Sequence, residues 1–416
     1  KGQTAYYSEF AKVKVSGGEG SADIISFTAI PEGAKTVLTV KNGVVADVTE
    51  IPDSQIADYG TKAYTFGALS DLHFNRYNGS LSGDDATVTF PNALNFIDMR
   101  SPYSEEYYAS LDKAIDYLKT EFYGKYCRQG EVFAFCIGHT HIDVAWLWRL
   151  RQTRDKAGRS FATVINLMKE FPEYKFMSPQ AQLYDYVKQD YPELYEDIKE
   201  KIKEGRWEAE GSMWVESDTN VISGESLVRQ FLVGKRFFKK EFGVDNKIMW
   251  LPDVFGYTGA LPQIMKLADI DYFMTTKISW SEYNRFPFDT FLWKGIDGSE
   301  ILSHFAPSMR DSDEKRFQAT YTAMLDPAHI IYGWQRYSNK DLAKKEMCIY
   351  GHGDGGGGPT RGNIEGGLRM AEGIPGCPQI KMENSLDFFK RLDSEVRDSK
   401  RLPKWRGELY KMLSFP

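Results

Sequence analysis

From residue 131 onward the chain alternates short apolar runs, VFAFCI, KIMWL and EMCIY, with polar loops and longer stretches of helical period. Apolar runs of strand length that lack polar alternation are buried on both faces, so the alternation predicts a parallel sheet covered by helices. The helical stretches include FATVINLMKEF, YDYVKQDYPELYEDIKEKIK and SLVRQFLVGKRFFKKEF, the last entered through Ser223 with Glu225 close behind as capping candidates. An α/β barrel, complete or distorted, fits this pattern best. Before it, TVLTV and VVADV flank Asn42-Gly43, a strong hairpin signal, and ATVTF ends at Pro91. Residues 104–126 then carry Tyr107, Leu111, Ile115, Leu118 and Phe122 on one helical stripe. The expected plan is a small all-β segment over 1–98, a bridging helix within 99–130, a catalytic α/β-barrel over 131–382, and the start of a helical domain over 383–416.

Composition narrows the function classes. A chain of 416 residues with 42% hydrophobic and 26% charged residues is a multidomain globular protein rather than a disordered or fibrous one. The formal net charge of -6 argues against a nucleic-acid or anionic-membrane surface. No stretch reaches the roughly 18 consecutive apolar residues of a transmembrane helix. Cys127, Cys136, Cys348 and Cys377 show no CxxC spacing, which points to free thiols rather than a disulfide framework or thiolate metal site.

In a parallel α/β sheet, chemistry collects at the carboxyl ends of the strands, so the residues directly after each apolar run are the candidates. After VFAFCI comes GHTHIDVAWLWR, holding His139, His141 and Asp143 within five positions. Alternate residues of an extended segment share a side, so His141 and Asp143 can bind one metal ion, and imidazole with carboxylate is a zinc-type pair. After KIMWL comes PDVFGY, where Asp253 can be a metal ligand, a nucleophile, both, or a helix cap. After EMCIY comes GHGDGGGGPTR, where His352 and Asp354 precede four glycines. Asp354 is a general acid/base candidate on a loop that can approach a ligand closely, or a turn former. The loop lacks the GxxxxGK[ST] pattern of a phosphate cradle.

The segments GHTHIDVAWLW, EGSMWVESD, SGESLVRQFL, LPDVFGYTGALPQI and GDGGGGPTR, in this order, resemble class II α-mannosidases, glycoside hydrolase family 38. The resemblance covers roughly residues 130–410. It implies that His141 and Asp143 bind Zn²⁺, that Asp253 is both nucleophile and zinc ligand, and that Trp146 and Phe255 wall the sugar subsite. It also places Lys277, from TTKISW, as the positive charge near the nucleophile, and Asp354 as the acid/base. The implied activity is retaining hydrolysis of terminal α-mannosides, in which two carboxyl groups about 5 to 5.5 Å apart attack the anomeric carbon and protonate the leaving oxygen. The implied partner is a mannose-containing oligosaccharide, with no nucleic acid and no membrane, and the likeness to intracellular-type members places the protein in the cytoplasm.

Family members supply a further zinc-binding His downstream of WRGELY, whereas this sequence has no histidine after His352. Three protein ligands with water or sugar in the fourth position remain a sufficient zinc site, and a helix beginning at Ser385 is expected to expose apolar surface. Two other functions are weighed: a metal-dependent polysaccharide deacetylase, which would normally need an HxxxH pair that the six histidines do not form, and an inactive carbohydrate- or metal-binding fragment.

Overall fold

The computed structural model describes residues 92–124, 130–281, 284–309, 318–374 and 376–410, together with five strands among residues 17–50. The chain divides into two compact units, Lys1–Gln129 with Ile374–Gly376, and Gly130–Gly373 with Cys377–Pro416.

In the first unit β1 (Gly17–Gly18) pairs with β2 (Ser21–Ala22), and β3 (Ile24–Ile25) precedes β4 (Thr36–Lys41) and β5 (Val44–Glu50). β4 and β5 run antiparallel with Lys41 opposite Val44, the pairing that the Asn-Gly signal predicts. Asn42 and Gly43 themselves, and the ATVTF segment, lie outside the described residues. Helix α1 (Glu105–Leu118) falls in this unit, within the stretch 99–130 where a bridging helix is expected. Ser104 starts α1 by accepting a hydrogen bond from the backbone N–H of Tyr107.

The second unit is a mixed α/β fold. Its first strand, β6 (Phe133–Gly138), runs parallel to both β14 (Lys345–Tyr350) and β15 (Gln379–Met382) in a three-stranded sheet. A five-stranded sheet has the order β16 (Lys404–Arg406), β12 (Thr290–Lys294), β13 (Glu300–Phe305), β11 (Tyr272–Thr275), β9 (Ile248–Trp250). Its β9, β11 and β13 are parallel and buried at every position but Glu300, as the apolar KIMWL run predicts for β9, whereas β12 is antiparallel to β13. Between these sheets lie β7 (Phe176–Met177) and β8 (Trp207–Glu208), parallel but only two residues each, and a single parallel bridge joins His139 to Met177. Among the described residues the strands form separate sheets rather than one closed sheet.

Side-chain alternation along β9 divides its packing. Ile248 and Trp250 enter one core with Tyr272, Met274 and Leu302, while Met249 and Leu251 enter another with Phe273 and Ile301. Helix α2 (Leu150–Glu170) builds the third core around Phe161, Val164 and Trp207. The stretch expected as one helix from Tyr184 to Lys203 is two, α3 (Ala181–Asp190) and α4 (Pro192–Lys203). Pro192 has no N–H to continue α3 and its ring clashes with the preceding turn, so it sits at the first position of a new helix instead. Helix α5 (Gly224–Phe242) starts at Ser223, whose Oγ accepts from Ser226 N, and ends at left-handed Gly243.

Helices α6 (Leu261–Leu267), α7 (Pro327–Arg336), α8 (Arg361–Ala371) and α9 (Ser385–Val396) complete the unit, with β10 (Gly256–Tyr257) paired to β17 (Leu409–Tyr410). The expectation that α9 exposes apolar surface does not hold. Phe388, Phe389, Leu392 and Val396 are fully buried against Phe135, Tyr272 and Met347, and half-buried Glu208 accepts from the N–H groups of Ser385 and Leu386 to cap the helix. No helix among the described residues is long and apolar enough to cross a membrane.

Candidate metal and carboxylate site

The ends of β6, β9, β11 and β14 meet at one place. Beyond β6 the chain is stitched to the glycine loop, because Asp143 N donates to Asp354 O at 2.9 Å and Thr140 Oγ1 donates to His352 O at 2.8 Å. Gln180 Nε2 holds Ile142 O at 2.8 Å, and Gln180 Oε1 accepts from Glu216 N at 3.1 Å. Beyond β9, Thr276 Oγ1 donates to Pro252 O, and the Tyr257 hydroxyl reaches the carbonyls of Leu251 and Val254, which fixes the turn carrying Asp253.

These constraints bring His141, Asp143 and Asp253 together, each offering one donor atom within 4.8 Å of the others. His141 Nε2 lies 3.2 Å from Asp143 Oδ1 and 3.5 Å from Asp253 Oδ2, while Nδ1 lies 2.7 Å from Glu216 Oε2. Lys277 Nζ stands 2.5 Å from Asp253 Oδ1, the ammonium 4.0 Å from the Trp280 ring centroid and 5.1 Å from that of Phe255. Among the described residues, buried Glu216 Oε1 has no hydrogen bond.

Three carboxylates therefore surround one imidazole and one ammonium. Burial opposes charge on His141, but Glu216, Asp143 and Asp253 outweigh it and raise its pKa well above the ordinary 6.5. Burial would raise the Asp253 pKa, yet His141 and Lys277 hold it below 3.8. Glu216 goes the other way, pushed up by burial against the pull of His141. Excess negative charge, the buried Glu216 Oε1 without a hydrogen bond among the described residues, and one imidazole with two carboxylates in reach fit a divalent cation. His141 Nε2, Asp143 and Asp253 would hold it, and Glu216 on Nδ1 would fix the tautomer that leaves Nε2 free.

Among the described residues, the other sequence candidates divide. Asp354 comes to the site with left-handed backbone, φ 58°, followed by Gly356, Gly357 and Gly358 with φ of 85°, 116° and 69°, a conformation that favours glycine. Its Oδ1 accepts a short hydrogen bond from the hydroxyl of buried Tyr321. Phe255 and Trp146 are 44% and 62% exposed, enough to offer ring faces to a ligand. His139 does not join the metal group: it is fully buried, Trp250 Nε1 donates to its Nε2, and burial with nearby His141 depresses its pKa well below 6.5. His352 is exposed, with its backbone paired to Gly358. Glu216 and Tyr321 were not foreseen. Glu216 lies within the quoted EGSMWVESD segment but well beyond the end of β8, and Tyr321 follows no apolar run.

Imidazole and carboxylates from separate strand ends, with a lysine beside one of them, form a group that could hold a metal ion. The chain belongs to glycosyl hydrolases family 38, since residues 131–408 match that family's N-terminal domain. It is 42% identical over 301 residues to "Alpha-mannosidase G" of Dictyostelium discoideum, covering 72% of this chain and 26% of that protein. It is 37% identical to "Alpha-mannosidase" of Saccharomyces cerevisiae over 73% of this chain and 28% of that one, and 39% identical to human "Alpha-mannosidase 2C1" over 70% and 27%. The matched region thus spans little more than a quarter of each relative. An alpha-mannosidase from Enterococcus faecalis V583 has the same fold, with a TM-score of 0.55 at 21% identity over 67% of this chain and 31% of that one.

Proposed function

We propose that this chain carries the catalytic centre of a zinc-dependent retaining α-mannosidase. The observation that carries the reading is Asp253, which pairs with Lys277 on one oxygen and faces His141 with the other. That double neutralisation keeps it ionised, as a nucleophile must be, while Asp354 stands on a separate strand end as the second carboxyl. The names of the relatives point to the same activity, and the interrupted parallel strands are read as a distorted (β/α) barrel.

In this mechanism Asp253 attacks the anomeric carbon and forms a glycosyl ester. Asp354 gives a proton to the leaving oxygen, then takes one from the water that cleaves the ester. Lys277 stabilises the Asp253 carboxylate before attack and again as it leaves. Phe255 and Trp146 offer ring faces to the apolar side of the sugar. A bound zinc ion would supply electrophilic binding of adjacent mannose hydroxyls, holding the ring against Asp253.

The test is hydrolysis of p-nitrophenyl α-mannoside followed by NMR of the fresh product, with Asp253→Ala alongside. The reading expects α-mannose as first product and activity lost in the variant. β-Mannose as first product, or an active Asp253→Ala, overturns it.

A further inference from the structure

Tyr321 stands among Asp354, His141 and Lys277. Its hydroxyl donates to Asp354 Oδ1, its ring meets His141 edge-on with centroids 5.3 Å apart, and Lys277 Nζ lies 5.4 Å from its centroid. Burial, Asp253 and Asp354 together push its own ionisation far above the usual tyrosine range, so it stays a neutral donor. The segment that carries it is held at both ends: Trp280 Nε1 donates to Ala319 O at 2.7 Å, Ala319 N to Ser279 Oγ at 2.9 Å, and Ala323 N to Ile349 O at 3.1 Å.

A tyrosine hydroxyl has one hydrogen, and here two carboxylates face it. Asp253 already has Lys277 and His141 as neighbours, whereas Tyr321 is the side-chain hydrogen-bond donor to Asp354 among the described residues. The hydrogen accordingly goes to Asp354. This donation ties down one oxygen of Asp354 and leaves the other free.

We propose that Tyr321 is a positioning residue for the second half of the reaction, holding the Asp354 carboxyl in place to take a proton from the water that hydrolyses the glycosyl ester. The inference rests on the retaining reading above. In that step water adds to the anomeric carbon, the bond to Asp253 breaks with its electrons returning to the carboxylate, and the water proton passes to Asp354. Tyr321 transfers no proton of its own.

The experiment compares wild type, Tyr321→Phe and Asp354→Ala on 2,4-dinitrophenyl α-mannoside, whose good leaving group needs little acid help, so ester hydrolysis limits turnover. Tyr321→Phe keeps the ring against His141 and Lys277. It is expected to lose about 10-fold or more in kcat with KM falling alongside, since general base catalysis contributes about 10² to 10⁴-fold. Added azide, a nucleophile that needs no base, should restore the rate and yield α-mannosyl azide in both variants. Unchanged kcat in Tyr321→Phe, or a loss that azide does not restore while it restores Asp354→Ala, overturns the role. No turnover by the wild-type chain overturns the mannosidase reading, and this role with it.

Discussion

Replacing Glu216 isolates what the buried partner of His141 does. Glu216 and His141 are each only 4% exposed in their side chains, and their 2.7 Å contact is the shortest that the imidazole makes. A carboxylate on Nδ1 fixes the ring orientation and raises the basicity of Nε2, and losing such a partner typically costs about 10- to 100-fold in metal affinity, roughly 1.4 to 2.7 kcal/mol. Glu216→Gln can still accept the Nδ1 proton but carries no charge, so its loss should fall near the lower figure. Glu216→Leu can do neither, and should fall near the upper. A second effect runs in opposition. Glu216 is the main neighbour raising the His141 pKa against burial, so a proton competes with metal at Nε2 over a wide range below that pKa. Removing Glu216 weakens the competition, and the deficit should narrow as pH falls from 8 to 6. Zinc titration against a competing chelator at each pH reads both effects. A folded Glu216→Leu that binds zinc as tightly as wild type at pH 8 would refute the reasoning.

Lys277→Met should remove the ammonium while keeping bulk, lowering kcat/KM about 10²-fold and moving the acidic limb of the pH profile upward, because Lys277 helps hold the Asp253 pKa down; a pH-rate profile with the limb unmoved counts against it. Glu346 on β14 is buried with neither oxygen hydrogen-bonded among the described residues, and burial, then Cys348, raises its pKa well above 4.5. Its proton is therefore retained on folding, and the stability present below pH 4.5 declines as pH rises toward the folded pKa, by up to about 1.4 kcal/mol per pH unit. Urea unfolding at pH 5 and 8 should show a smaller decline in Glu346→Gln than in wild type, and equal declines would contradict this. Phe388→Ala should cost about 3 to 5 kcal/mol in the same assay, as α9 lies in the core; a cost under about 1 kcal/mol would mean that the helix is peripheral.

How far the site was legible depended on where each residue stands. His141, Asp143, Asp253 and Asp354 each follow an unbroken apolar strand run, so strand-end position alone singles them out. Lys277 follows the shorter run DYFMTT and was reached through the family resemblance. Glu216 stands 75 positions from His141, and that long-range pairing leaves no local trace. Tyr321 sits in irregular backbone fixed by Trp280 and Ser279, which no periodicity reports. In the fold, the helices of α/β character were readable from their apolar stripes, but the stripe through Tyr184 to Lys203 ignores Pro192, where backbone chemistry overrides side-chain pattern. The stripe of α9 likewise shows that a face is buried, and not against which layer.

The central claim is a covalent ester on Asp253. It is tested most directly by incubating the chain with a 5-fluoro α-mannosyl fluoride, quenching in acid, and mapping peptides by mass. The account predicts one fluorinated mannosyl residue on the peptide containing Asp253, absent from Asp253→Ala. Turnover of the reagent with no labelled peptide, or a label on a different carboxylate, would contradict it.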